Sequence, residues 1–270
     1  MPVAVEAHPA GHVALPAQES TLKPATLTAF DRYAAVTDRR FQQELAPGPS
    51  FLRIDSLPAE LRAAAHLSLK GGEIRIERLE TLEGGKTIRV PDGMLHHWVG
   101  TIFIPGATLE EVLRLVQDYE RQSQVYAPDV ERSRTISRNG DDFHIFLRFR
   151  RKKVITVVLD TEHDVHYMRL DATDAASRSV STSIREVENA GTPKELVLPA
   201  DSGGGYLWRI NAYWKFMERD GGTYVQCETI SLTRDIPAGL GWLVGPFVSS
   251  IPRESLSFTL DATRKALTKE

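Results

Sequence analysis

The chain has 270 residues, of which 41% are hydrophobic and 26% are charged, as is typical of a folded globular protein rather than a disordered one. The formal net charge of −3 argues against nucleic acid as the main partner, and the single Cys excludes an intrachain disulfide or a multi-thiolate metal site. No uninterrupted apolar run of about 18 residues occurs, so no transmembrane segment is predicted.

Residues 1–24 are predicted to form a flexible leader, because Pro2, Pro9, Pro16 and Pro24 interrupt any helix there. The leader has no basic region and no continuous apolar core, so it is not expected to be a signal peptide. The cytoplasm is the default compartment, and export would require an upstream signal peptide that has been removed.

Residues 25–95 are predicted to form an N-terminal extension made of helices and a short strand or hairpin. An apolar stripe predicts one helix over residues 25–45, and a second helix is expected between Ser56 and Gly71. The alternating segment GEIRIERLE then predicts a half-exposed strand. We expect these helices to dock on the following domain or on a second copy of the chain.

Residues 96–270 are predicted to form a ligand-binding domain that begins with a strand, HHWVGTIFI. Thr108 and Glu111 form a capping box that starts a helix, and a short second helix is expected to end near Pro128. The strands predicted after these helices are Val130–Arg138, Phe143–Arg150, Val154–Leu159, Val165–Leu170 and Arg178–Val187.

The last two strands are predicted to form a hairpin around the two-residue turn Asp220-Gly221, which pairs Tyr213 with Glu228 and Trp214 with Cys227. We expect the polar pair Tyr213 and Glu228 to form a cross-strand hydrogen bond. The opposite face of the hairpin is predicted to carry Trp208, Ile210, Ala212, Trp214, Phe216, Val225, Cys227, Thr229 and Ser231.

A helix predicted from about Ser250 places Leu256 and Leu260 on one stripe, which can cover this apolar face. The order of elements predicts an α+β fold, in which a curved antiparallel sheet wraps around a long C-terminal helix. The concave space between the sheet and the helix is the expected ligand site.

Three stretches resemble the START-like superfamily, which has the helix-grip fold and includes polyketide cyclase/aromatase-type proteins and lipid-transfer domains. They are VQDYERQSQVYAPDV, the hairpin YLWRINAYWKF…GGTYVQCETISLTRDIP, and the terminal GWLVGPFVSSIPRESLSFTLDATRKAL. The resemblance covers roughly residues 95–268. Its motifs are structural, so it implies the fold rather than a particular chemistry.

The ligand site is predicted to combine apolar walls with small hydroxyl groups, a combination that suits a lipid or a polycyclic aromatic molecule. The predicted lining residues are Trp208, Ile210, Ala212, Trp214, Phe216, Cys227, Thr229, Leu256 and Leu260. The alternative is that these residues line no ligand site and only pack against the terminal helix. No catalytic residue, metal ligand or cofactor is predicted.

Other patterns that suggest chemistry have simpler interpretations. Cys227 is expected to be an inert buried thiol, because no neighbouring cation or His is implied. The two histidines of the segment from His163 to His166 could suggest a metal site, but residues three apart on a strand face opposite sides of it. The segment is therefore interpreted as a polar turn. The glycines of Gly239–Gly245 have the wrong spacing for a dinucleotide loop and are expected to permit a tight turn.

Five cations occur within six residues: Arg148, Arg150, Arg151, Lys152 and Lys153. They are expected to form a solvated strand edge, which discourages edge pairing. The alternative is a transient contact with anionic lipid headgroups during ligand loading. The sequence does not fix the oligomeric state.

The leading hypothesis is a non-catalytic protein that binds, or binds and transports, a lipid or another hydrophobic small molecule. The first alternative is a cyclase/aromatase-type enzyme acting in the same cavity, which requires titratable side chains from among Arg148, Tyr167, Arg169 and Glu228 to converge there. The second alternative is a structural or interaction protein with a filled core.

Overall fold

The computed structural model describes residues 20–46, 48, 50–153, 155–235 and 241–268, with the backbone alone over 241–249. The helices are α1 (Pro24–Glu44), α2 (Ala59–Lys70), α3 (Leu109–Gln117), α4 (Gln122–Val125) and α5 (Gly241–Leu267), and Arg53–Ser56 form a 3-10 turn. The strands are β1 (Arg75–Arg78), β2 (Leu82–Glu83), β3 (Lys86–Thr87), β4 (Gly93–Pro105), β5 (Val130–Asn139), β6 (Asp142–Lys152), β7 (Thr156–Arg169), β8 (Asp174–Glu188), β9 (Leu196–Val197), β10 (Arg209–Arg219) and β11 (Gly222–Arg234).

The main sheet is antiparallel and open, with the strand order β1-β4-β11-β10-β8-β7-β6-β5 and with β9 paired to β8. Strands β2 and β3 form a separate two-stranded hairpin. The α+β fold class predicted from the sequence is confirmed: a large antiparallel sheet is followed by a long C-terminal helix.

The β10–β11 hairpin has the register that its turn predicts. Asp220 and Gly221 both have positive φ values, of 60° and 76°, as a two-residue hairpin turn requires. Tyr213 therefore lies opposite Glu228, and Trp214 lies opposite Cys227.

The two faces of the sheet carry different hydrophobic clusters. We call the side that packs against α5 the inner face; its cluster includes Ile102, Phe216 and Leu260. We call the opposite side the outer face; there Phe30 and Phe41 of α1 belong to one cluster with sheet residues such as Tyr213. The central strands are therefore covered on both faces.

Helix α5 is tied to both ends of the sheet. Near its start, Glu254 pairs with Lys153 at the β6–β7 turn. Near its end, Arg264 donates to the Gly72 carbonyl oxygen, just before β1. Between these points α5 packs mainly along β4, so the sheet wraps around the helix. Within the described residues, no helix is both long enough and apolar enough to span a membrane.

The N-terminal extension docks on the sheet of the same chain. Asp38 of α1 accepts two hydrogen bonds from Arg178 of β8, at 2.8 and 2.7 Å, and Glu44 accepts one from Lys215 of β10 at 2.6 Å. Of the predicted leader, residues 20–24 are described, and Ser20 donates to the carbonyl oxygen of Gly203 at 2.7 Å.

One predicted break in the sheet is wrong. Strand β7 runs without interruption from Thr156 to Arg169, so the segment from His163 to His166 is mid-strand and not a polar turn. The polar run is accommodated because its outer-face members find cross-strand partners. Asp160 pairs with Arg148 of β6 in this way.

Candidate functional site

Three cross-strand rows lie at the centre of the inner face, and we call them the central rows. The first row is Gly100, Cys227, Trp214, Ser177 and Tyr167. The second row is Trp98, Thr229, Ala212, Ser179 and Val165. The third row is His96, Ser231, Ile210, Ser181 and His163, in which the amide of Ile210 donates to the Ser181 hydroxyl oxygen at 3.0 Å.

The central rows contain few bulky side chains apart from two indoles and the aromatic and imidazole rings at their ends. The small members are Gly100, Ala212, Cys227, Ser177, Ser179, Ser181, Thr229 and Ser231. The hydroxyls of Ser177 and Ser231 have no hydrogen-bond partner among the described residues, although both side chains are buried. Small, partly unsatisfied polar residues beneath a helix are the kind of surface on which a ligand or ordered water binds.

The burial of the inner face differs between its two halves. Phe216, Leu256 and Leu260 are buried in the hydrophobic core, whereas Trp98 and Trp214 are only half-buried. Ile210, Ala212 and Thr229 are also half-buried. The packed part therefore anchors α5, and the less completely buried part centres on the second row, with Trp214 and Ile210 beside it.

Gly100 lies where side chains of α5 pack closely against the sheet. A Cβ atom on Gly100 would lie 2.4 Å from Leu260 Cδ1 and 3.3 Å from Leu256 Cδ2. Such separations are inside van der Waals contact, so a side chain at this position would require Leu260 to move within a closely packed core.

The tyrosines and the thiol on or beside the central rows are uncharged. Burial raises the pKa of Tyr126 to about 12 and raises the pKa of Tyr119, Tyr167 and Cys227. Tyr167 donates to the Val116 carbonyl oxygen at 3.2 Å and accepts from Tyr119 at 2.8 Å, so their hydroxyls are satisfied within the protein. The buried Cys227 thiol is accordingly protonated and a poor nucleophile.

Two histidines at the ends of the third row are also uncharged near neutral pH. Burial lowers the pKa of His96 and of His163 to about 4 each. His96 Nε2 lies 3.1 Å from the Thr233 hydroxyl, and His163 Nε2 lies 2.9 Å from the Thr161 hydroxyl. The three rows therefore form a neutral surface with scattered hydrogen-bonding groups.

Eight of the nine predicted lining residues lie between the sheet and α5, in two groups. Ile210, Ala212, Trp214, Cys227 and Thr229 are in the central rows. Phe216, Leu256 and Leu260 are on the same face, in the packed core.

The predicted position of Trp208 on the inner face is wrong. Its ring lies in the outer-face cluster with Leu232 and packs close to Gly205. Strand β10 begins at Arg209, so the alternation that governs the strand does not extend to Trp208.

The side chains expected for an enzyme do not converge. Tyr167 is on the inner face, but Glu228 is on the outer face, where its carboxylate is hydrogen-bonded to His97 and Arg40 rather than to Tyr213. Arg148 forms a two-point pair with Asp160, with N–O distances of 2.6 and 2.8 Å. Arg169 is exposed and pairs with Glu110.

Four of the five clustered cations have acidic partners. The pairs are Arg148 with Asp160 and Glu195, Arg150 with Glu131, Arg151 with Asp129 and Glu254, and Lys153 with Glu254. Lys152 has no acidic partner among the described residues. This segment therefore presents less free positive charge than its composition suggests.

Several residues of the central rows were not predicted from the sequence as lining residues, notably Trp98, His163 and Ser181. The alternation in HHWVGTIFI would have placed Trp98 and Gly100 on one face with Ile102, once the pairing of β4 with β11 was known. The glycines predicted to form a turn at Gly239–Gly245 lie outside the residues whose side chains are described.

Solved structures with a similar arrangement include a STAR-related lipid transfer protein fragment from Xanthomonas axonopodis, with 17% identity over 73% of this chain and 94% of that one and a TM-score of 0.49. Human STARD10 shares 11% identity over 78% and 81% of the two chains, with a TM-score of 0.46. The Zhui aromatase/cyclase from Streptomyces sp. R1128 shares 11% identity over 64% and 94%, with a TM-score of 0.42.

No protein-family model matches the sequence, and no curated protein matches it either. At such low identities the likeness to solved structures says nothing about a ligand or a reaction. The fold is assigned from the strand order of the main sheet and from the position of α5. The chain has the helix-grip architecture that its resemblance to the START-like superfamily implied.

Proposed function

We propose that this protein binds an uncharged, largely apolar small molecule between the central rows and α5, without catalysing a reaction. The observation that carries the proposal is the neutral surface of small side chains at the centre of the inner face, flanked by the half-buried indoles of Trp98 and Trp214. A lipid or a polycyclic aromatic compound is the ligand class that fits.

The physical argument rests on what each part of the surface supplies. The indole rings and Ile210 offer apolar contact, at about 0.8 kcal/mol per buried methylene of the ligand. The Ser and Thr hydroxyls offer hydrogen bonds that orient it. The central rows hold no ionised group, so a charged ligand would lose its hydration without gaining a counter-charge there.

An uncharged fluorescent probe, N-phenyl-1-naphthylamine, tests the proposal. We expect saturable binding that extracted membrane lipids displace. Ala212 lies in the middle row, so Ala212→Phe adds a ring where the ligand is proposed to bind and should weaken probe binding at least tenfold.

The matched control is Ala63→Phe, which adds the same ring at an exposed position of α2. It should leave probe binding unchanged, and circular dichroism should show that both variants are folded. Absence of saturable binding to the parent protein, or equal binding by a folded Ala212→Phe variant, would overturn the proposal.

A further inference from the structure

His163 has a defined tautomer because of the hydrogen bond made by its neighbour. The Thr161 hydroxyl donates its only proton to the Leu147 carbonyl oxygen, at 3.1 Å. Toward His163 it can therefore only accept, so the proton of the imidazole is on Nε2, which lies 2.9 Å from the Thr161 oxygen. The other nitrogen, Nδ1, is left with a bare lone pair.

The Nδ1 lone pair has no hydrogen-bond donor among the described residues, although His163 is only 5% exposed. Nδ1 is not among the fully enclosed unpaired atoms of the described residues, so it keeps some accessible area and a ligand atom can reach it. Because Nδ1 lies on the face proposed to bind the ligand, we expect a group outside the protein to donate a hydrogen bond to it.

Ser181 is the register partner of His163 on the adjacent strand β8. Its oxygen accepts from the amide of Ile210 at 3.0 Å, and its own proton has no acceptor among the described residues. Register partners in antiparallel strands have Cβ atoms about 5 Å apart, so one ligand atom can reach both side chains. An unused acceptor thus lies beside an unused donor.

We propose that His163 and Ser181 together bind a hydroxyl group of the ligand, which donates to His163 Nδ1 and accepts from the Ser181 hydroxyl. This inference rests on the proposed function and narrows the ligand class to an apolar alcohol or phenol. An ether or a ketone can use Ser181 but leaves Nδ1 without a donor, and a carboxylate places negative charge against that lone pair.

The tyrosine hydroxyls near the rows do not compete for this role. Tyr119 and Tyr167 are hydrogen-bonded to each other, and the Tyr126 hydroxyl lies 3.1 Å from that of Thr263, which itself donates to Thr259. Burial lowers the pKa of His163 to about 4, so Nδ1 stays unprotonated at neutral pH.

The test compares each alcohol with its own methyl ether, which has nearly the same shape and retains the acceptor but lacks the donor. The probes are 2-naphthol against 2-methoxynaphthalene and 1-dodecanol against its methyl ether, titrated calorimetrically at pH 7. One well-placed hydrogen bond predicts a preference for the alcohol of about three- to tenfold. His163→Phe should reduce this ratio to one or below.

The control variant is His144→Phe, which changes the same residue type on the neighbouring strand β6, where the ring faces outward and pairs with Asp164. It should keep the alcohol preference. Binding of alcohol and ether with equal affinity by the parent protein would overturn the hydroxyl site alone. Failure of all four probes to bind would overturn the proposed function as well.

Discussion

On the outer face, the carboxylate of Glu228 is buried beneath α1 and is bonded to His97 at 2.7 Å and to Arg40. On the inner face, the central rows of the same strands hold only neutral side chains, and several of their polar atoms have no partner among the residues that the structure describes. Adjacent residues of β11 therefore face two different environments. On the outer face the protein itself neutralises a buried charge, whereas the inner face holds no charge and is proposed to bind the ligand.

The outer-face network extends beyond this one carboxylate. The Tyr33 hydroxyl contacts His97 Nδ1 at 2.7 Å and accepts from the Thr81 amide at 2.6 Å. Burial favours the neutral form of Glu228, but the contacts with His97 and Arg40 outweigh it and lower the pKa. A charge held in this way fixes α1 on the sheet and is unavailable to a ligand.

The largest expected effect comes from breaking that network. Glu228→Ala leaves Arg40 without its buried partner and should lower the free energy of unfolding by about 3–5 kcal/mol. Glu162→Ala removes a partly exposed partner of Arg185 and should cost less than about 1 kcal/mol. Chemical denaturation measures both, and similar losses in the two variants would contradict a special role for the buried charge.

The second-largest expected loss of stability comes from disturbing the contact between α5 and the inner face at Gly100. Gly100→Val places new carbon atoms where Leu260 lies and should cost about 3 kcal/mol through overpacking. In a Leu260→Ala background the same change should cost much less, because space is available. Additive losses in this double-mutant cycle would mean that α5 and Gly100 are not in contact.

The sequence predicted those features that depend on local rules. Asp220-Gly221 fixed the hairpin register, and the capping box from Thr108 to Glu111 correctly marked the start of α3. The polar run in β7 was mistaken for a turn because consecutive polar residues interrupt the apolar alternation, and their cross-strand partners cannot be identified from the run itself. Trp208 was misplaced because the strand begins one residue later.

The hydroxyl site could not have been predicted in the same way. The tautomer of His163 depends on Thr161, and the direction of the Thr161 hydrogen bond depends on the carbonyl oxygen of Leu147 across a strand pair. Neither the pairing nor the missing partner of Nδ1 has a signature in the residue order. Such a site becomes visible only when every donor and acceptor around it is accounted for.

The neutral histidines of the third row predict a smaller, pH-dependent effect. His96 and His163 have pKa values near 4 when folded and about 6.5 when unfolded, so the unfolded chain binds more protons as the pH falls below 6.5. Stability should fall by about 2 kcal/mol between pH 7 and pH 5.5. Thermal unfolding of His163→Phe should show roughly half this dependence, and an unchanged dependence would refute the assignment.

The smallest effect concerns the cations near the β6–β7 turn. Lys152, which has no acidic partner among the described residues, should contribute at most about 1 kcal/mol to binding of phosphatidylserine vesicles, so Lys152→Ala should weaken binding by fivefold or less. Glu254→Gln releases Lys153 from its carboxylate and should strengthen binding. Vesicle co-sedimentation measures both, and unchanged binding in the two variants would mean that this segment does not contact the membrane.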